Sequence, residues 1–395
     1  MGARKRVIGI ALLTALAVLG DSMLFIVLPV YWREMGLTAI WQIGVLLSVN
    51  RFIRLPVNPL IGIFYKYFSL RTGLLIALFL AVVSTFSYGV LTNFWLLFLM
   101  RILWGIAWSF LRLGGYLTVI EVSDSNNRGN LVGLYNGLWG LGGLVGMFGG
   151  GLLIDQTSIF FVTALFATMG ITAFPLLFLF VPKVHSETSD RKNAINTNAL
   201  SSYVWMVLLT GLTMGFIVFG LFAATLSQLI DRSFTENWTF LNVTVGAATI
   251  AGVIQAVRWS WDPFVASYFG KVLDSAKSKI RLLYVPLVGG GMLLFFMGFT
   301  QTLTILVLLL LIFQLMSTMF VTTTDTLATN AAGEANSIKI ITLHTIVVDV
   351  GAALGPLMAY IVIQHFNLTV AYIFSSVIML ILLIAWFSYN KIAKR

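Results

Sequence analysis

Twelve runs of predominantly apolar residues fill almost the whole of this 395-residue chain, and each is long enough to cross roughly 30 Å of hydrocarbon as a helix. They cover residues 7–31, 39–65, 70–91, 94–118, 130–154, 159–182, 203–228, 240–268, 281–299, 303–327, 338–363 and 368–390. A soluble globule is excluded, because only 10% of the residues are charged and 59% are hydrophobic, against about 25% charged in an average soluble domain. The expected fold is an all-α membrane protein, with twelve transmembrane helices in two six-helix pseudo-symmetric halves. The first run follows a basic end, Met1 to Arg6, but it is too long for a signal peptide and lacks a small-residue cleavage site, so it is expected to stay as a helix. Cysteine is absent, which rules out disulfides and thiolate metal sites.

The basic residues are not scattered evenly. Seventeen of the 24 lie at the two termini, in alternate short loops around Lys66 to Arg71, Arg128, Lys271 to Arg281 and Lys339, and in the stretch 183–202. Only Arg33 and Arg232 fall in loops on the opposite side. Positive loops are retained in the cytoplasm, so both termini are predicted to be cytoplasmic and the protein to reside in the cell (plasma) membrane. The formal charge of +10 is then a topology signal rather than a nucleic-acid footprint.

The polar stretch 183–202 divides an N-terminal half, 1–182, from a C-terminal half, 203–395, and is read as a cytoplasmic connector. Short patterns recur at an offset of about 208 residues. Gly62 and the loop after it answer to Gly270 and the loop after that. Gly142, Gly146 and Gly150 answer to Gly351, Gly355 and Ala359. Weak repeats of this size mark parallel transporter halves with a substrate site near the midplane between them.

Four local motifs then narrow the reading. The loop after the second run carries Gly62, Lys66 and Arg71, and its second-half copy carries Gly270, Asp274 and Lys277. In the fourth run Arg101 precedes Gly105 by four. The fifth run contains Gly133, Gly142, Gly146, Met147, Gly150 and Gly151, and the eleventh contains Gly351, Gly355 and Pro356. On these motifs the chain resembles the major facilitator superfamily, and within it the twelve-helix proton-antiporter branch that exports drugs and metabolites. That family has an acid where Lys66 stands and a proline where Met147 stands. The resemblance implies alternating access, with gating loops at Gly62, Lys66 and Arg71 and at Gly270 and Asp274. It also places the fifth and eleventh helices near an interface across which the halves rock. A loop acid such as Asp274 can meet a helix N-terminus or a basic neighbour when its face closes; the alternative is a solvated turn. Glycines four apart let a neighbouring helix approach closely; ordinary tight packing is the alternative reading of each. Met147 lacks the kink a proline would give.

Five arginines, Arg51, Arg54, Arg101, Arg112 and Arg258, lie at membrane depth. Each costs at least about 2.5 kcal/mol there and so normally faces a bundle interior, a watery cavity or an acid. Arg101 and Arg112 are eleven residues apart, close to three turns, and are predicted to share a face. Arg51 and Arg54 share one in the same way, with Asn50 and Asn58 close by. With Trp104 and Trp108 these residues outline an electropositive substrate cavity for an amphipathic or anionic organic molecule. The alternative is that the arginines pin helices together through carboxylates such as Asp21 and Glu121. Asp21, eight residues before Pro29 in a spacing that resembles helix 1 of proton-antiporter exporters, is the first candidate for proton coupling, and Asp349 is the second. Burial favours a neutral carboxyl and a nearby arginine favours the charged one, so moving the two relative to each other links conformation to proton uptake. A permanent ion pair between Asp21 and an arginine is the alternative. Arg258 and Asp262, four apart among Trp259 and Trp261, are spaced for a local pair and are counted with the cavity. His344 is read as a packing or hydrogen-bonding residue, and Asp325 as a partner for Lys339.

No enzyme constellation is present: there is no phosphate-cradling Gly-Lys-Ser/Thr loop, and three histidines without cysteine suggest no metal site. The expected function is secondary active transport by alternating access, as a proton-coupled antiporter exporting a small organic solute. The proton gradient is the energy source and no cofactor is expected. Expected partners are the solute, protons and the lipid bilayer, with the chain monomeric. A proton-coupled symporter importing an organic anion, and a non-transporting receptor or scaffold built on a transporter fold, stay open.

Overall fold

The computed structural model describes residues 2–123, 127–181, 201–234, 238–240, 243–276, 278–333 and 337–392. Helices account for the twelve expected spans, apart from the first residues of the eighth. The first is α1 (Ala3–Tyr31), and the second is a broken pair, α2 (Trp41–Phe52) and α3 (Arg54–Tyr67). Then come α4 (Leu70–Ser87), α5 (Phe94–Val122), α6 (Arg128–Ile154) and a second broken pair, α7 (Ile159–Ile171) and α8 (Ala173–Phe180). The seventh span is α9 (Ser202–Met214), a π segment (Gly215–Phe222) and α10 (Ala223–Ser233) in continuous succession. The rest are α11 (Ala247–Ser275), α12 (Lys279–Phe299), α13 (Leu303–Gly333), α14 (Ser337–His365) and α15 (Leu368–Ile392). Among the described residues, ten of these stretches are long and apolar enough to cross a membrane; the α2–α3 pair and α11 are the other two.

The two breaks share a cause. Pro56 and Pro175 each stand third in the helix after the break. A proline has no N–H to return to the carbonyl four residues back, so the ladder cannot run through Phe52 or Ile171. Four other starts are set by capping side chains: Ser69 accepts from the Thr72 N–H, Asn93 from Trp95 and Leu96, Ser158 from Phe161 and Ser201 from Val204, each satisfying a donor that the first turn leaves over. The eighth span begins later than the sequence suggests. Its expected first residues form an antiparallel hairpin, β1 (Trp238–Phe240) and β2 (Val243–Val245), with Trp238 opposite Val245. Aromatic and β-branched residues suit that pleated pairing.

The chain divides into two compact units. The first comprises Met1–Thr38, Val45–Lys192 and Glu236–Ala256; the second comprises Ala39–Gly44, Asn193–Thr235 and Val257–Arg395. In the first, α1 is buried along most of its length and packs on α6. A core of Ile10, Tyr65, Leu74, Trp104, Phe110 and Leu111 is tied by the Tyr65 hydroxyl, which donates to the Phe110 carbonyl at 2.9 Å. In the second unit α14 lies against α9 and the π segment, and α12 against α13 and α15.

Both glycine motifs turn out to be seams within a unit. Gly142, Gly146 and Gly150 face Ala15, Leu19 and Met23 of α1, each pair one step of four further along. A side chain at any of them would meet α1 backbone, or the Met23 side chain at Gly150. Gly351 and Gly355 face Leu212, Phe216 and Leu221 in the same fashion, and the Pro356 carbonyl faces Gly44. Gly133, at the other end of α6, looks onto open space.

Candidate functional site

One polar cluster in the first unit joins α1, α2 and α5. Arg101 Nη1 donates to Asp21 Oδ1 in an ion pair, and Asn50 Nδ2 donates to the same oxygen at 3.2 Å. Arg101 Nε donates to the Leu46 carbonyl at 2.8 Å, Nη1 reaches the Tyr88 hydroxyl at 3.5 Å, and the guanidinium lies 5.8 Å from the Tyr88 ring centre. Arg101 is 1% exposed and Asp21 13%. The arginine is thus committed to the carboxylate and to backbone. Capacity is left over, however: Arg101 Nη2 and Asn50 Oδ1 are buried with no hydrogen-bond partner.

A second cluster in the same unit is aromatic and cationic. The Arg54 guanidinium on α3 lies 5.5 Å from the centre of the Trp108 ring on α5, within the range of cation–π attraction. Trp108 in turn meets Trp139 of α6 edge to face, with centroids 5.1 Å apart. Asn136 Oδ1 fixes this arrangement by accepting from Trp139 Nε1 and from the Tyr116 hydroxyl, both at 3.1 Å. Arg54, Trp108, Asn136 and Trp139 are all half-buried, so each keeps part of its surface accessible. Arg51 approaches the Phe25 ring at 5.8 Å, while Arg112 and Asn58 are exposed. Trp104 belongs to the hydrophobic core, with no exposed surface.

In the second unit Arg258 Nε lies 3.6 Å from Asp262 Oδ2 one turn away, and the Thr318 hydroxyl of α13 donates to the other oxygen of Asp262. The guanidinium sits 5.9 Å from the Phe219 ring of the π segment. Gln314, one turn before Thr318, is fully buried with both amide atoms unpartnered. Asp349 is half-buried on α14 and Asp325 exposed on α13. His344 is buried with its ring against Gly211 and its Nε2 unpartnered.

The gating-loop residues are placed as follows. Gly62 and Gly270 have open space around them, and Lys66 is exposed. Arg71 donates to the Val181 carbonyl at 2.6 Å and the Phe178 carbonyl at 3.2 Å. A cation there complements the carbonyl end of α8. The Asp274 side chain and connector residues 183–200 lie outside the described residues.

Comparison with known proteins settles the family. A model of the Major Facilitator Superfamily matches residues 10–342. The chain belongs to that superfamily. Membership makes it an integral membrane transporter of small molecules rather than an enzyme. Among its relatives, the quinolone resistance protein NorA of Staphylococcus aureus (strain MRSA252) is 24% identical over 268 residues, spanning 66% of this chain and 67% of NorA. The multidrug resistance protein 1 of Bacillus subtilis (strain 168) is 23% identical over 351 residues, 87% of this chain and 86% of that protein. The same fold appears in the crystal structure of the nucleoside transporter NupG, with a TM-score of 0.80 at 12% identity, covering 99% of this chain and 100% of that one. It appears again in a bacterial homologue of the human lysosomal transporter Spinster, with a TM-score of 0.74 at 14% identity, covering 98% and 96%.

Within the superfamily frame, the sequence brought forward Asp21, Asn50 and Arg101, which the structure gathers into one cluster, and Arg54 with Trp108, which it gathers into another. It passed over Tyr88, Tyr116, Asn136 and Trp139. The signal for the last two was present: an asparagine and a tryptophan three apart, hence on one face, in a helix rich in glycine and aliphatic residues.

Proposed function

We propose that this superfamily member is a proton-coupled antiporter of the cell membrane, exporting an amphipathic organic molecule that carries an aromatic body and an acidic group. The observation that carries the substrate class is the shelf of Arg54, Trp108 and Trp139. A guanidinium set against an edge-to-face pair of indoles offers one surface for a flat apolar ring and one charge for an anion. The names of the relatives, a quinolone resistance protein and a multidrug resistance protein, support export of drug-like solutes. The Asp21–Arg101 cluster supports proton coupling, since a carboxylate held by a single arginine across three helices changes its proton affinity when those helices part.

The experiment is a thermal-shift screen of the purified protein against organic anions, lipophilic cations and neutral drugs, because a ligand that binds only the native state raises its apparent stability. The strongest shifts are expected from aromatic acids. Arg54→Gln is then expected to weaken the best anionic ligand by more than about tenfold, or roughly 1.4 kcal/mol, and a neutral ligand far less. A screen that yields only cationic ligands, or an Arg54→Gln protein that binds anions as the parent does, overturns the anionic reading.

A further inference from the structure

The helix α11 opens on Gly246, a residue with no side chain to accept the N–H groups that a first turn leaves over. The acceptor comes from another helix. Asp155, at the end of α6, takes the Gly246 N–H on Oδ2 at 2.9 Å, the Thr249 N–H at 2.9 Å and the Thr249 hydroxyl at 2.6 Å. Its other oxygen takes the Tyr31 hydroxyl, from the end of α1, at 2.6 Å. The next residue repeats the attachment: Gln156 Oε1 accepts the Thr244 N–H at 3.0 Å and its Nε2 donates to the Thr244 carbonyl. Glycine makes the approach possible on both sides. A Cβ on Gly246 would stand 2.7 Å from the Asp155 carboxylate, one on Gly252 would stand 2.9 Å from the Met147 carbonyl, and one on Gly151 would strike the Ala248 carbonyl.

Two features set this cap apart from the others in the chain. The starts of α4, α5, α7 and α9 are capped by the residue immediately before the helix, which holds whatever the neighbours do. The cap of α11 exists only while α6 and α11 stay together. The donors to Asp155 are hydroxyls and backbone amides at the positive end of a helix dipole, a set that water can replace when the surfaces part. In addition, the boundary between the two compact units falls inside α11, after Ala256, so Asp155 and the turn it caps lie in one unit and the rest of the helix in the other.

We propose that Asp155 is a positioning residue of the transport cycle: a releasable cap that holds the start of α11 on α6 in this conformation and gives it up in the alternate one. The proposal rests on the alternating-access reading. Its test reads accessibility and not flux, so the two can fail separately.

The chain contains no cysteine, so a single Ala248→Cys substitution gives one reporter. Ala248 is fully buried beneath the cap. In the purified parent carrying this reporter, reaction with a water-soluble maleimide is expected to be slow. Asp155→Ala is expected to speed it at least about tenfold, equivalent to roughly 1.4 kcal/mol in the opening equilibrium, and Asp155→Asn by a smaller factor. Should Asp155→Ala fail to fold, Tyr31→Phe and Gln156→Ala each remove part of the attachment and leave the α11 cap in place; each is expected to raise labelling severalfold. Labelling equal to the parent in the folded variants, even with a lowered melting temperature, makes Asp155 a static helix cap and overturns the proposal.

Discussion

At the level of single residues the chain separates arginines sealed into the structure from arginines with accessible surface, and their side-chain surroundings make the difference. Arg101 and Arg112 share a helical face, as an eleven-residue spacing requires, but they stand roughly 16 Å apart along the axis. One ends in a sealed cluster at 1% exposure, the other on an exposed surface. Angular position was legible in the sequence; depth and partner were not, because Asp21 is 80 residues away. The cluster makes a paired prediction. Arg101→Gln leaves the Asp21 carboxylate with only Asn50, and breaking a buried pair this way costs about 3–5 kcal/mol, so chemical denaturation is expected to show a large loss of stability. Asp21→Asn keeps a hydrogen-bonding group of the same shape. It is expected to retain ligand binding and exchange in liposomes while losing uphill, gradient-driven transport. Full uphill transport by Asp21→Asn moves the proton role to Asp349.

For whole elements, the spacing of glycines in the sequence points to close helix packing, and the fold supplies the partners. Gly142, Gly146 and Gly150 repeat every four residues, so they line one face of α6. Nothing in that spacing says the face would meet α1, since Ala15, Leu19 and Met23 are ordinary residues of an apolar run. The broken spans were legible only in part: Pro56 and Pro175 mark the breaks, whereas the π segment contains no proline and only Gly215 and Gly220. Seam glycines and open ones should respond differently to a side chain. Gly146→Leu drives its Cβ onto the Leu19 backbone, and overpacking of this kind costs about 1–3 kcal/mol; a lowered melting temperature in detergent is expected. Gly133→Leu, facing open space, is expected to melt as the parent does or higher, since leucine is the better helix former. Equal destabilisation by both would place the effect in the helix itself and not in the α1–α6 seam.

For the whole molecule, the distribution of charge carries information that the helix packing does not: which end faces the cytoplasm. The loops fall in two alternating sets, and the set containing Lys66, Arg71, Lys271, Lys279 and Arg281 is strongly basic, while the set containing Asn93 and Thr157 has almost no cations. Retention of lysine and arginine on the cytoplasmic side then predicts the α3–α4 turn inside the cell and the α6–α7 turn outside. The absence of native cysteine allows a direct measurement with single reporters, Tyr67→Cys in the first turn and Thr157→Cys in the second; both native residues are exposed. On intact cells a membrane-impermeant maleimide is expected to label Thr157→Cys and to label Tyr67→Cys only after permeabilisation. The sidedness bears on mechanism as well as topology, because the Asp155 cap lies two residues from Thr157. An outward Thr157 makes that cap part of the external closure, so that its release precedes solute discharge in an exporter. Labelling of Tyr67→Cys alone on intact cells reverses the orientation and with it the direction of transport proposed for the chain.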